Sequence, residues 1–179
     1  MVVKFQFYHL YKCPWDVVTS IHVSKYPTNK EPNVIGAEII EKTKDRGELS
    51  YLKYIVTCLN VLPSFLRKVE ALNIEAVQYE EECWIYKDRR IMKVKSRNLT
   101  LSQFTEMTET SVFRQCSRDP SWTEIEQEGQ IVVKGLGPAN WLIERFIQKF
   151  FERGIKKNVK LMEELIEERY GLQFPKPSS

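Results

Sequence analysis

Apolar and polar residues alternate from the start of the chain. Val3, Phe5, Phe7, His9 and Tyr11 share one side of an extended segment, so residues 2–11 are predicted to form a strand with one covered face. The period then changes. After Cys13 and Pro14, the residues Trp15, Val18, Ile21 (or His22) and Tyr26 recur at helical spacing, with proline at a tolerated first-turn position. In "KYPTNKEPN" the prolines Pro27 and Pro32 hold the chain extended until the next strand begins at Val34. Alternation returns over 34–44 and 49–61, joined by "DRGE", whose glycine suits a hairpin turn. Residues 62–73 read as a short helical or loop excursion. Strands follow over 74–86 and 90–100 around "YKDRR", then over 103–116 and 122–135 around "SRDPSW". Gly135, Gly137 and Pro138 end the extended region. A single helix is expected over 138–170, its apolar face formed by Leu142, Phe146, Phe150, Ile155, Val159, Met162 and Ile166, with Gly171 as the stop.

The order is therefore β-α-β-β-(excursion)-β-β-β-β-α. Long adjacent strands favour an antiparallel meander. A long helix laid across one face of such a curved sheet makes an α+β fold, with one domain over 1–172 and a frayed tail at 173–179. Repeats and linkers are absent from the pattern.

Composition narrows the function. The net charge of +3 is too small to argue for nucleic acid, and no run of ~18 apolar residues is present. An aromatic share of 12% points to a deep core or an apolar cavity. The start of the chain has neither the apolar block of a signal peptide nor the Arg- and Ser-rich helix of a transit peptide, so no cleavable leader is expected. Cysteines 13, 58, 83 and 116 are widely spaced without a CxxC pair, which argues against a zinc site and favours scattered reduced thiols over a disulfide.

Catalysis has little to stand on. Neither His9 nor His22 sits in a nucleophile or metal-ligand motif, and no cofactor, metal or catalytic residue is expected. "GLG" at 135–137 lacks the other glycines of a phosphate loop and reads as a turn. In the run Glu80-Glu81-Glu82 a strand sends neighbours to opposite faces, so one carboxylate should face inward as a partner for a lysine.

Three features stand out. Lys149, Arg153, Lys156 and Lys160, with Lys157 beside them, make one face of the last helix basic. That face is either solvated through local ion pairs or drawn to anionic head groups. In "VLPSFLRKV", Leu62, Phe65 and Leu66 precede Arg67 and Lys68, which fits either a satellite cluster under a loop or an apolar tip that touches a membrane. Lys25 ends the first helix. It is either a cation suiting the helix dipole or a phosphate ligand at the mouth of a cavity between sheet and helix.

Taken in order, "YKCPWDVV", "KYPT" with "NVIG", "CLNVLPSFLRKV", "EEECWI", "SVFRQ", "DPSWTEIEQEGQI", "KGLG" and "GIKKNVKLMEELI" resemble the PRELI/MSF1 family over nearly all of residues 1–170. The resemblance implies a seven-stranded antiparallel sheet with a long C-terminal helix and a lipid pocket between them. It also implies transfer of phospholipid between the mitochondrial membranes, within the intermembrane space, by a protein bound to a small twin-cysteine helical partner of the Mdm35 type. Lys25 matches the family's basic residue in the Tyr-Pro motif and Lys53 a basic residue of the third strand. Lys157, beside Lys156, fits the basic pair of the last helix, and Lys149 falls one position off a family lysine. "LPSFL" matches the lid, with Leu62, Phe65 and Leu66 at its tip. The chain departs from the family's phosphatidic-acid carriers in showing Thr57, Cys58 and Asn60 where they carry more lysines, and "KYPTNKEP" in place of "RYPNP". The expected function is a carrier of a glycerophospholipid of the phosphatidic acid or phosphatidylserine class. The alternative is an interaction protein of the same fold that holds the helical partner without transferring lipid.

Overall fold

The computed structural model describes residues 1–68, 70–134 and 140–174, with side chains throughout except at Phe65, Ala71 and 140–144. The elements are β1 (Val2–Tyr11), α1 (Trp15–Ser24), β2 (Val34–Asp45), β3 (Glu48–Leu59), α2 (Ser64–Arg67), β4 (Ala76–Tyr86), β5 (Ile91–Asn98), β6 (Thr105–Gln115), β7 (Thr123–Val133) and α3 (Asn140–Tyr170). The expected end of the sheet at Gly135, Gly137 and Pro138, the helix start near Pro138 and the last five residues of the tail lie outside the described residues.

All seven strands form one antiparallel sheet in the order β1-β7-β6-β5-β4-β3-β2, so β1 and β2 are its edges. The β2–β3 hairpin turns on Arg46 and Gly47, both at positive φ (50° and 84°), a conformation in which glycine is unstrained. Period-two alternation sends Val3 and Tyr11, Leu52, Tyr54 and Val56, Glu81 and Cys83, and Met92 and Val94 to the covered face. The predicted face of α1 is also covered, with Trp15, Val18, Ile21 and His22 all buried.

Helix α3 departs from the predicted face. Ile147, Leu161, Met162, Leu165 and Ile166 are buried, whereas Phe150 is exposed, and Leu142 lies outside the described side chains. The reason is a change of support along the helix. Its first half packs on a cluster with Val3, Leu66, Leu72, Ile131 and Val133, and its second half joins the main core around Trp15 and Phe113. The same half is tied to α1 by Ser20 Oγ to Tyr170 Oη (2.6 Å) and by Arg169 donating to Ser24 Oγ (2.8 Å). Gly171, at φ 68°, stops the helix as expected. Phe174 then packs on the core, so the chain beyond 172 is not all tail.

One row of register partners crosses six strands on the covered face: Tyr54, Glu81, Ser96, Glu109, Gly129 and Phe5. Gly129 lets the Phe5 ring lie against the β7 backbone, since a Cβ there would collide with the ring. Phe5 in turn stacks on Phe151 of α3 at 4.5 Å between centroids. Gly129→Ala is expected to destabilise the fold by about 1–3 kcal/mol through overpacking. A thermal unfolding midpoint equal to wild type would show that Phe5 moves freely.

Candidate ligand-binding site

At the end of α1 the chain turns inward, and Lys25 is 4% exposed. Its Nζ lies 3.9 Å from Glu81 Oε1 on β4 and 3.4 Å from His22 Nδ1. His22 Nε2 is 2.8 Å from the same Glu81 oxygen. The Tyr54 hydroxyl also donates to Glu81 Oε1, and Ser96 Oγ donates to Oε2 at 3.4 Å. Of the three consecutive glutamates, the inward-facing one therefore partners a lysine, as strand parity predicts.

Charge states follow from these contacts. Burial and the Lys25 charge hold His22 below its ordinary pKa, against the pull of Glu81, so its ring is neutral. A neutral ring that donates from Nε2 to Glu81 leaves Nδ1 free to accept from Lys25. Burial would raise Glu81, but Lys25, His22 and the bonds from His22 and Tyr54 outweigh it and hold the carboxyl far below the usual range. Burial likewise opposes the Lys25 charge, and Glu81 overcomes it, so Lys25 titrates above the ordinary lysine value. The pair is thus an internal ion pair at neutral pH. Glu109, further along the same inner row, behaves in the opposite way. Burial and the nearby Glu81 charge push it up to about 7, with Gln127 and Lys25 pulling back only in part.

Glu81, His22 and Cys83 place potential metal-ligand atoms within 4.8 Å of one another. Lys25 already supplies a positive charge to two of the three, and burial pushes the Cys83 thiol far above its ordinary value. A second cation is disfavoured there.

The other predicted head-group lysines do not converge on Lys25. Lys53 is a correction. Leu52, Tyr54 and Val56 face inward, so Lys53 faces outward, where it bonds Glu80 and Glu82 at 3.1 Å each. Lys157 reaches the connection that carries Lys25, but its partner there is Glu31 at 2.8 Å, and it remains about half exposed. Lys149, Arg153, Lys156 and Lys160 all stand on the exposed side of α3, and Lys160 makes a local pair with Glu164 at 3.7 Å. Lys149 is accordingly on the basic face and not at the inner site.

The sequence of this chain matches a family model. Residues 16–171 match the PRELI-like family, most of the chain and every element except β1. The chain belongs to the PRELI-like family. Among solved structures, the PRELI-like chain is similar to the Zhui aromatase/cyclase of Streptomyces sp. R1128, with a TM-score of 0.63 at 13% identity over 94% of this chain and 96% of that one. TTHA0849 from Thermus thermophilus gives 0.61 at 10% identity, covering 94% and 99%. Ara h 8.0201 gives 0.58 at 11% identity, covering 94% and 100%. At these identities the likeness is one of fold, a START/Bet v1-like sheet and long helix.

The segment expected to act as a lid packs inward. Leu66 is 7% exposed and packs with Val3, Leu72 and Ile147, and Leu62 is partly buried against the same cluster. The satellite-cluster reading therefore describes the packing of Leu62 and Leu66. Phe65 lies outside the described side chains. Asn60, marked in the sequence only as a departure from the family's lysines, turns out to hold this segment in place. Its amide donates to Leu72 O (3.0 Å) and Ile74 O (2.8 Å), and its oxygen accepts from Leu62 N (3.0 Å). It pins both ends of the excursion, and an asparagine at a strand end before a proline-containing turn was the available signal.

Proposed function

We propose that this PRELI-like chain is a non-enzymatic phospholipid carrier of the kind represented by PRELI domain-containing protein 2. Its cargo is a glycerophospholipid of the phosphatidic acid or phosphatidylserine class, moved between the mitochondrial membranes within the intermembrane space. Family membership over 16–171 supports the class. One observation carries the site: a buried lysine faces the covered side of a sheet on which Phe5, Met107 and Glu109 stay only half-buried. Protein fills that face incompletely, and acyl chains completing it would contribute ~0.8 kcal/mol per buried methylene. Lys25 meets the phosphate, which competes with Glu81 for it. The segment 62–71, with Leu62, Phe65 and Leu66, gates the mouth. Lys149, Arg153, Lys156 and Lys160 steer the protein to anionic membranes, at about 1 kcal/mol per residue near the surface. Docking weakens as salt shortens the Debye length to ~8 Å at 0.15 M. The proposed partner is a small twin-cysteine helical protein of the Mdm35 type.

The test is transfer of fluorescent phosphatidic acid and phosphatidylserine between vesicles by the Lys25→Met/Glu81→Gln variant. This pair of changes removes the lysine charge without stranding a buried carboxylate. Transfer of the cargo lipid should fall about tenfold, the equivalent of ~1.4 kcal/mol. Unchanged transfer by a folded variant would remove Lys25 from the head-group site.

One observation favours the alternative reading of a non-transferring interaction protein. Edge strand β2 exposes Ile35 (55%), Ile39 (59%) and Ile40 (48%), with Leu59 and Val61 exposed nearby. An apolar edge of this kind suits a protein partner. Native mass spectrometry of the co-purified complex separates the two, since the interaction protein would carry the partner and no phospholipid.

A further inference from the structure

The covered face of β5, β6 and β7 carries a polar patch inside an apolar frame. Ser96 stands opposite Glu109, and two residues further along β6 Ser111 stands opposite Gln127. Met92, Phe113 and Ile125 close the patch on one side, and Met107, Ile131 and Val3 close it on the other. Ser96, Ser111 and Gln127 are buried, and Glu109 is half-buried. Ser96 already bonds Glu81, but Glu109 is unmatched. No cation pairs with it among the described residues, the Glu81 charge opposes its ionisation, and Gln127 offsets this only in part. Ionising Glu109 therefore costs the fold stability. Local rules broken at such a cost are expected at functional sites.

Glu81 and Glu109 lie two strands apart in one row, roughly 10 Å between backbones. Lys25 Nζ stands 3.9 Å from Glu81. A cation and an unmatched carboxyl thus face one interior space across Ser96. A phosphate joined to a primary ammonium by two carbons can bridge such a pair, with a hydrogen bond of ~2.8 Å at each end. The phosphate takes Lys25. The three N–H donors of the ammonium match the Glu109 carboxylate, the Gln127 amide oxygen and the Ser111 hydroxyl. Charge points the same way. Lys25 and Glu81 cancel, so an ionised Glu109 leaves these groups net negative. Phosphatidic acid would add a phosphate with nothing to offset it, whereas an amine-bearing head group brings its own cation and favours the ionised carboxyl.

We propose that Glu109 determines the specificity of the interior site, selecting phospholipids whose head group carries a primary ammonium, phosphatidylethanolamine or phosphatidylserine, over phosphatidic acid. Glu109 has this role only if the chain holds phospholipid between sheet and helix, as proposed for the carrier.

The test is transfer of acyl-labelled phosphatidylethanolamine, phosphatidylserine, phosphatidylglycerol and phosphatidic acid between vesicles by the full chain, with extraction of the phospholipid that copurifies. Phosphatidylglycerol has the same phosphodiester and no amine. Wild type should move one or both amine-bearing lipids about tenfold faster than phosphatidylglycerol, and the faster of the two identifies the source of the ammonium. Glu109→Gln keeps the shape of the side chain, removes its charge and should fold. It should bring that preference to within about twofold, which loss of a purely structural group would not do. Glu109→Asp should keep most of it. The proposal is overturned if wild type moves phosphatidylglycerol or phosphatidic acid as fast as both amine-bearing lipids, or if Glu109→Gln keeps the wild-type preference. Should no lipid move while an amine-bearing phospholipid copurifies with wild type and not with Glu109→Gln, transfer fails as the function and the selectivity stands. No transfer and no copurifying phospholipid would overturn both.

Discussion

Glu81→Ala is expected to lower the free energy of unfolding by about 3–5 kcal/mol, the cost of leaving one member of a buried ion pair without its partner. Four side chains converge on this carboxylate: His22, Tyr54 and Ser96 donate hydrogen bonds to it, and Lys25 pairs with it at 3.9 Å. Removing it leaves Lys25 charged in a nearly inaccessible place, against the His22 ring and the face of Tyr26. The cost should come mainly from that stranded charge. Lys25→Met/Glu81→Leu should therefore recover much of the loss, because replacing both members of a buried pair with apolar residues is often neutral or better. Urea denaturation of Lys25→Met, Glu81→Leu and the double variant gives the coupling directly. A loss below about 1 kcal/mol for Glu81→Ala would mean that water reaches Lys25 freely, and that the interior is a wet cavity.

Glu109→Gln should stabilise the protein at pH 8 by up to about 3 kcal/mol. In the fold this carboxyl titrates at about 7, against the ordinary value of 4.5. Between those values the folded chain keeps a proton that the unfolded chain has lost, so stability falls as pH rises through the window and levels off above it. At ~1.36 kcal/mol per pH unit the accumulated cost is about 3 kcal/mol. His22 acts in the opposite sense. Its depressed pKa means stability is lost as pH falls below the ordinary histidine value of 6.5, and Glu81 adds a further loss below 4.5. Wild type should thus pass through a maximum in the weakly acidic range, whereas Glu109→Gln should keep gaining or hold level towards pH 8. Unfolding free energies measured from pH 4.5 to 8 decide it. Parallel curves for the two proteins would show that Glu109 is ionised and solvated in the fold.

Strand parity made a good part of the inner site legible. Alternation around Val3, Phe5 and Phe7 identified the covered face of β1, and the same rule turned one of three consecutive glutamates inward. It also contained the correction for Lys53, which sits between Leu52 and Tyr54 and must therefore face out. The family motif had suggested otherwise because a motif preserves position along the chain and says nothing about which face the side chain takes.

The sequence by itself determined the element order, the α+β class, the covered faces of β1 and α1, and the helix stop at Gly171. Each of these depends on a local period or a backbone preference that neighbouring residues express without help. The tertiary structure alone decided that Lys25 is matched by Glu81, that Lys157 is held by Glu31, that Leu66 packs inward, and that α3 buries Ile147 and Leu165 and exposes Phe150. These depend on contacts between residues tens of positions apart, and a helix with apolar residues on more than one side takes its buried face from whatever it packs against.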